Sequence, residues 1–188
     1  DRYTPVKGIT HRYPDRVLLK PLHTCAVYCR FCFRREKVGR DGEVLRKGEL
    51  DTALEYIRNK NEIWEVILSG GDPLMLNTDK LQYILSELHS INHVKVVRIH
   101  TRVPVVMPER ISDILLNALD FEKALYIVVH CNSHHEMNSE VESALRKLTK
   151  SGIPLLSQSV LLRGINDSAE QLELLFRRLT ELRVKPYY

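Results

Sequence analysis

Residues 64–91 read WEVILSGGDPLMLNTDKLQYILSELHSI, and the order of patterns in this stretch decides the fold class. The apolar run at residues 64–68 is short and rich in branched side chains, which predicts a strand buried on both faces, as in a parallel sheet. From residue 78 to residue 91 the apolar side chains recur every three or four positions, which predicts an amphipathic helix. The stretch is therefore one strand–loop–helix unit.

The same order of strand and helix repeats along the chain. Further apolar runs predict strands at residues 17–19, 94–99, 125–129 and 155–160, and a sixth strand beginning near Val184. Helical patterns cover residues 50–60, 111–119, 139–151 and 168 to about 183. This alternation predicts an α/β fold with parallel strands and right-handed crossovers. Both an open doubly wound sheet and a (β/α) barrel remain possible, and both bind ligands at the carboxyl ends of their strands.

The composition is that of one globular domain. The chain has 188 residues, of which 44% are hydrophobic and 28% charged, with a net charge of +4. So mild a charge excess does not indicate nucleic-acid binding, and no window resembles a membrane helix. The chain starts at Asp1 and stops at Tyr188, so we expect residues 1–188 to be one domain cut from a longer protein.

Three cysteines follow the first predicted strand with the spacing C-x3-C-x2-C, at Cys25, Cys29 and Cys32. Clustered thiolates suit zinc or an iron–sulfur cluster. A structural zinc site needs four ligands, which His23 would complete, whereas three thiolates on a four-iron cluster leave one iron open for catalysis. Cys131 would close the site as a fourth ligand, but a buried small hydrophobic residue explains it more simply.

The loop after the second predicted strand reads Ser69-Gly70-Gly71-Asp72-Pro73. Paired glycines allow positive φ and let a ligand approach bare backbone. Asp72 adds a fixed carboxylate, which alternatively is no more than a helix cap.

These two loops together resemble those of the radical S-adenosylmethionine superfamily, and Phe31 before the third cysteine fits its pattern. The resemblance implies a partial (β/α)6 barrel of parallel strands that ends at strand six. It also implies a [4Fe-4S] cluster on Cys25, Cys29 and Cys32. S-adenosylmethionine would chelate the open iron and be cleaved to a 5′-deoxyadenosyl radical.

Longer motifs resemble those of the lysine 2,3-aminomutase family. They are residues 11–16 (HRYPDR), 25–35, 68–74 (LSGGDPL), 101–105 (TRVPV), 158–167 and 185–188 (KPYY). The resemblance implies an isomerase that moves an amino group between the α- and β-carbons of an amino acid, with L-lysine giving β-lysine through a pyridoxal phosphate aldimine. Two alternatives stay open: an enzyme that makes β-lysine for elongation factor P, and a non-catalytic iron–sulfur or zinc module.

The resemblance also implies roles for individual residues. The residues expected to bind S-adenosylmethionine are Ser69, Gly70, Gly71, Asp72, His130 and Gln158. Arg12 and Arg16 match arginines that hold the phosphate of pyridoxal phosphate, and Arg34 matches the arginine that takes the substrate carboxylate. The lysine that binds pyridoxal phosphate lies beyond the Pro-Tyr-Tyr segment in this family, so the catalytic lysine is not in this chain.

One segment departs from the family. Residues 130–135 read HCNSHH and lack the proline that often follows this strand. A metal site formed by His130, His134 and His135 is an alternative interpretation of the segment. As partners we expect an amino acid and an external electron donor, self-association by analogy with the family, and neither nucleic acid nor membrane. Free thiols and an oxygen-labile cluster predict a reducing cytoplasm.

Overall fold

The computed structural model describes residues 2–39 and 42–188, so residues 1, 40 and 41 lie outside the described ranges. It contains one seven-stranded sheet whose strands lie side by side in sequence order. The strands are β1 (Ile9–Tyr13), β2 (Arg16–Leu22), β3 (Glu65–Gly70), β4 (Val96–Thr101), β5 (Ala124–His130), β6 (Leu155–Gln158) and β7 (Val184–Pro186). β1 is antiparallel to β2, and the six strands from β2 to β7 are parallel.

This strand order distinguishes the two architectures that the sequence left open. A doubly wound sheet reverses direction at an interior strand, whereas each crossover from β2 onwards moves one strand further in the same direction. The helices consequently pack on one face of the sheet, and the other face becomes the inner wall of a curved, incomplete barrel. The predicted partial (β/α)6 barrel is confirmed, with its sixth parallel strand at β7.

The outer layer consists of helices that bury the apolar faces expected from the sequence. They are α1 (Lys47–Arg58), α2 (Thr78–Ser90), α3 (Val103–Val106), α4 (Asp113–Ala118), α5 (Ser139–Lys150) and α6 (Ala169–Glu181). Short 3-10 turns cover Pro73–Met75, Pro108–Arg110 and His134–Glu136. The helix ends follow the sequence signals: the Ser168 hydroxyl accepts the Gln171 N–H at the start of α6, and Gly152 has φ +80° just after α5.

The alternation of side chains along each parallel strand separates the core from the inner wall. On β2, Val17 and Leu19 are buried in the apolar core beneath the helices, while Leu18 and Lys20 lie on the other face and are partly exposed. β3 and β4 follow the same alternation. The inner wall is therefore the face of the sheet whose side chains are available to contact a ligand.

Several features differ from the sequence prediction. The antiparallel strand β1 and the short helix α3 were missed. β2 extends three residues beyond the run at residues 17–19, β4 begins two residues later and extends two residues further than its apolar run, and β6 ends at Gln158 instead of residue 160. The inner wall also contains Glu65, which is 1% exposed and forms ion pairs with Arg16 and Arg98 near the amino ends of the strands. Within the described ranges, no helix has the length and apolar character to cross a membrane.

Candidate active site

The cysteine loop leaves the carboxyl end of β2 and is closed at its base by backbone hydrogen bonds. The Cys25 N–H donates to the Gly39 carbonyl at 3.0 Å, and the Gly39 N–H donates to the His23 carbonyl at 3.0 Å. Within the loop the Cys32 N–H donates to the Cys29 carbonyl at 3.0 Å. The three cysteines are thus on one ordered turn, and all are free thiols with partly exposed side chains.

The Cys25 thiol needs a bound metal in order to ionise. Burial raises the pKa of the Cys25 thiol to about 12, and the Asp72 carboxylate and the other two cysteines add to this effect. Such a thiol ionises readily only when a metal supplies positive charge. In the part of the chain that the structure describes, no three His, Cys, Asp or Glu side chains converge on one ion, including His23 with the cysteines. Three free thiols on one loop are soft donors of the type that an iron–sulfur cluster takes, so the kind and spacing of these cysteines fit a [4Fe-4S] cluster.

The Gly-Gly-Asp loop, at the carboxyl end of β3, is tied directly to the base of the cysteine loop. The Gly71 N–H donates to the Leu22 carbonyl at 2.8 Å, and the Asp72 N–H donates to the Thr24 carbonyl at 2.8 Å. Gly70 has φ +109°, and a Cβ on Gly71 would lie 2.2 Å from the Thr24 carbonyl oxygen. These glycines therefore let the backbone of the cysteine loop approach closely, as they would let a ligand approach. The two loops form one unit.

Asp72 is a buried structural carboxylate. Its two oxygens accept hydrogen bonds from the Thr101 hydroxyl at 2.6 Å and from the Arg102, Val103 and Leu74 N–H groups at 2.7, 3.2 and 3.1 Å. Burial raises the pKa of Asp72, against the effect of these donors. The helix-cap interpretation is correct at Leu74, but Asp72 also links the ends of β3 and β4. Its N–H donates to the Thr24 carbonyl and its carbonyl accepts the Met75 N–H, so both the carboxylate and the backbone of Asp72 are engaged by the protein itself.

Arg102 joins the cysteine loop to the end of β5, and the sequence motif gave it no role. Its guanidinium donates to the Cys29 Sγ at 3.1 Å and to a Glu136 carboxylate oxygen at 2.7 Å. It also lies 5.3 Å from the centre of the Phe31 ring, which in turn is 5.0 Å from the His130 ring. Donors to a ligating sulfur tune a cluster, so Arg102 belongs to the site.

His130 and Gln158 lie opposite each other at the carboxyl ends of β5 and β6. His130 contacts the Asn132 Oδ1 through Nε2 at 3.1 Å, and Gln158 contacts the Nδ1 of His100 at 3.0 Å. Burial lowers the pKa of His100 to about 4, and its Nε2 is buried with no described hydrogen-bond partner. His100 was not predicted as a site residue, although its position near the end of a predicted strand was a usable signal.

The departing segment at 130–136 is held by its own polar contacts. The Glu136 carboxylate accepts the N–H groups of Asn132 and Ser133 at 2.8 and 3.0 Å, which fixes the turn without a proline. Cys131 is 0% exposed, and its Sγ donates to the Ser133 carbonyl, so it is the buried small residue that the simpler interpretation required.

The three proposed anion-binding arginines differ in their surroundings. Arg12 is exposed on β1, with its guanidinium 5.8 Å from the Tyr13 ring centre. Arg16 makes two hydrogen bonds to Asp15 at 3.0 and 2.8 Å and pairs with Glu65. A phosphate would have to displace these carboxylates, so the described contacts do not form a phosphate pocket and do not fit pyridoxal phosphate as they stand.

Arg34, by contrast, lies close to the cluster loop. Burial lowers its pKa, and the charges of Cys32 and Cys25 act in the opposite direction. The contacts described above therefore bring together the ends of β2 to β6 around the three cysteines, with Arg34 beside them. A cavity of about 380 Å³ lies at the other end of the strands, lined by Ala124, Leu125 and Pro154 among others, and is separate from this site.

Comparison with known proteins agrees with this geometry. The model of the Radical SAM superfamily matches residues 19–176. A radical SAM methyltransferase from Sphaerobacter thermophilus has the same fold with a TM-score of 0.61, at 19% identity over 95% of this chain and 57% of that one. The chain therefore belongs to the radical SAM superfamily, whose members use a [4Fe-4S] cluster and S-adenosylmethionine.

Within that superfamily the chain falls in the lysine 2,3-aminomutase family. It is 48% identical to the L-lysine 2,3-aminomutase of Methanococcus maripaludis over 100% of this chain and 43% of that protein. It is 42% identical to the glutamate 2,3-aminomutase of Clostridioides difficile over 100% of this chain and 45% of that protein. The chain thus spans less than half the length of these curated relatives.

Proposed function

We propose that the full-length protein is a radical S-adenosylmethionine isomerase that converts L-lysine to β-lysine by moving the α-amino group to the β-carbon. The observation that supports this most strongly is the 48% identity to an L-lysine 2,3-aminomutase across the whole of this chain. The site adds physical support, because three thiols and a Gly-Gly-Asp loop lie at adjacent strand ends of a partial barrel.

Each part of the proposed site has a role that its contacts support. Cys25, Cys29 and Cys32 would hold a [4Fe-4S] cluster, which would supply the electron for cleavage of S-adenosylmethionine. Arg102 donates to the Cys29 sulfur and restrains the position of that ligand. The backbone at Gly70 and Gly71, with His130 and Gln158, provides polar groups for S-adenosylmethionine.

Arg34 takes the substrate carboxylate in this proposal, because it is a partly buried cation beside the cysteines. Pyridoxal phosphate enters the proposal through the family alone, since the carboxylates on Arg16 occupy the donors that a phosphate would need. Measurement of pyridoxal phosphate in purified full-length protein, and in its Arg16→Met variant, tests that part separately.

The experiment for the reaction uses the full-length protein, reconstituted anaerobically with iron and sulfide. It is incubated with S-adenosylmethionine and a reductant, and with L-lysine, L-glutamate or lysylated elongation factor P in turn. We expect β-lysine from free L-lysine, and loss of the product in the Cys32→Ser variant. Cleavage of S-adenosylmethionine without β-lysine would contradict the proposed substrate. Product from lysylated elongation factor P alone would favour the translation-factor enzyme, and zinc without sulfide would favour a non-catalytic module.

A further inference from the structure

Lys20 is a lysine on the inner wall of the barrel to which neither the fold nor the cluster gives a role. It alternates with Leu19, which is buried in the core, so its side chain lies on the opposite, inner face of β2. A Cβ built on Gly70 would lie 3.0 Å from the Lys20 Cβ. Lys20 is thus immediately beside the Gly-Gly-Asp loop, at the end of the strands where the cysteines lie.

Lys20 and Arg34 are both partly buried cations that lack an anionic partner among residues 2–39 and 42–188. No ion pair or hydrogen bond to a carboxylate involves either side chain within these ranges. Burial lowers the pKa of Lys20, and the positive charges of Arg34 and Lys37 lower it further. Burial of a cation without a partner is unfavourable, so both side chains are open to an anion from outside the described residues.

Charge compensation of the cluster is the simplest alternative, and it accounts for Arg34 better than for Lys20. The charges of Cys32 and Cys25 act on Arg34. Lys20 is on β2, outside the cysteine loop, and its strand directs its side chain into the barrel interior beside Gly70.

We propose that Lys20 and Arg34 together bind a free carboxylate of the substrate, with Lys20 as a further specificity-determining residue. This inference rests on the proposed aminomutase function. A carboxylate has two oxygens, so it can accept the fork of Arg34 and the ammonium of Lys20 at once. The substrate class that follows is a free amino acid, because a residue whose carboxyl group is in an amide bond presents no charge to these two cations.

The test compares two ligands that differ only in that group, L-lysine and L-lysinamide. Their binding is measured by calorimetry on the full-length, cluster-loaded protein as wild type, Lys20→Met and Lys20→Arg. Lys47→Met is the matched control, because Lys47 is 83% exposed on α1. We expect Lys20→Met to weaken L-lysine binding about ten- to a hundredfold, the loss of one charge-assisted hydrogen bond, and to change L-lysinamide binding less than about twofold. Lys20→Arg should restore most of the L-lysine affinity.

An equal loss for both ligands would overturn the proposal, and so would unchanged L-lysine binding. A change confined to iron content or cluster potential would assign Lys20 to the cluster instead. If the wild-type protein binds L-lysine in a Lys20-dependent way but makes no β-lysine, the reaction is wrong and the carboxylate site stands. If it binds neither L-lysine nor L-glutamate, the carboxylate site is wrong whatever the reaction.

Discussion

Replacement of Gly71 by alanine tests the link between the Gly-Gly-Asp loop and the cysteine loop. The added Cβ would lie 2.2 Å from the Thr24 carbonyl oxygen, 2.6 Å from the His23 carbonyl carbon and 2.7 Å from the Thr24 nitrogen. All three are backbone atoms, so the clash with the added Cβ cannot be relieved by rotation of a side chain. The base of the cysteine loop must therefore move by about 1 Å, whereas a functional site tolerates displacements of its groups of only about 0.5 Å.

The expected cost has two parts. Overpacking of this kind costs about 1–3 kcal/mol. Weakening of the two backbone hydrogen bonds that join the loops, from Gly71 to Leu22 and from Asp72 to Thr24, adds about 1 kcal/mol. The free energy of unfolding should therefore fall by about 2–4 kcal/mol, which a domain of ordinary stability survives. The protein should fold and lose most of its cluster, since Cys25 follows Thr24 directly.

The assay is urea unfolding of the apoprotein, followed by iron and sulfide analysis after reconstitution. Gly48→Ala is the control, because a Cβ at Gly48 in α1 meets nothing within 4 Å. It should leave the cluster intact and stabilise the protein by about 0.5–1 kcal/mol. Wild-type stability and full iron content in Gly71→Ala would refute the reasoning.

Three further predictions concern the contacts around the cysteines. Burial lowers the pKa of His100 to about 4, so the unfolded state takes up its proton first as pH falls. Between pH 6.5 and pH 5 the unfolding free energy should therefore fall by about 1.6 kcal/mol through His100, and His100→Asn should reduce the pH slope of urea-measured stability in that range. An unaltered pH slope in the variant would contradict it. Arg102→Met should lower the cluster potential in redox titration, because it removes the donor to the Cys29 sulfur. It should also lower the free energy of unfolding by about 1–3 kcal/mol, because Glu136 loses its partner. An unchanged potential would rule out the role at Cys29. Cys131→Ala should keep the iron content of wild type, because the Cys131 thiol is buried and donates to the Ser133 carbonyl, and loss of iron would make it a ligand.

The sequence predicted the parallel strands, the helices and the position of the cysteines because these depend on local periodicity and spacing. β1 was not predicted, because this antiparallel edge strand of five residues, ITHRY, has no continuous apolar run. The choice of a barrel came from the resemblance, since the order of strands depends on pairings between distant segments. Those pairings leave no periodic signal in any one strand.

The candidate site could be predicted from the sequence only in part, for a similar reason. The cysteines are predicted to be ligands by their type and spacing alone, and this prediction does not depend on how distant segments pair. The roles of Arg102 and His100 depend on what lies across from them in the fold, at Cys29 and Gln158, and sequence separation hides those contacts. The motif also does not reveal that the Asp72 carboxylate accepts hydrogen bonds from the Thr101 hydroxyl and from three backbone N–H groups.

The central claim is that three cysteines hold a cluster whose open iron cleaves S-adenosylmethionine. Its most direct test is the yield of 5′-deoxyadenosine from the anaerobic, reduced, full-length protein that carries four irons per chain. We predict formation that requires S-adenosylmethionine and is abolished when Cys25, Cys29 or Cys32 is replaced by serine. A protein with its four irons in place that forms no 5′-deoxyadenosine would contradict this account.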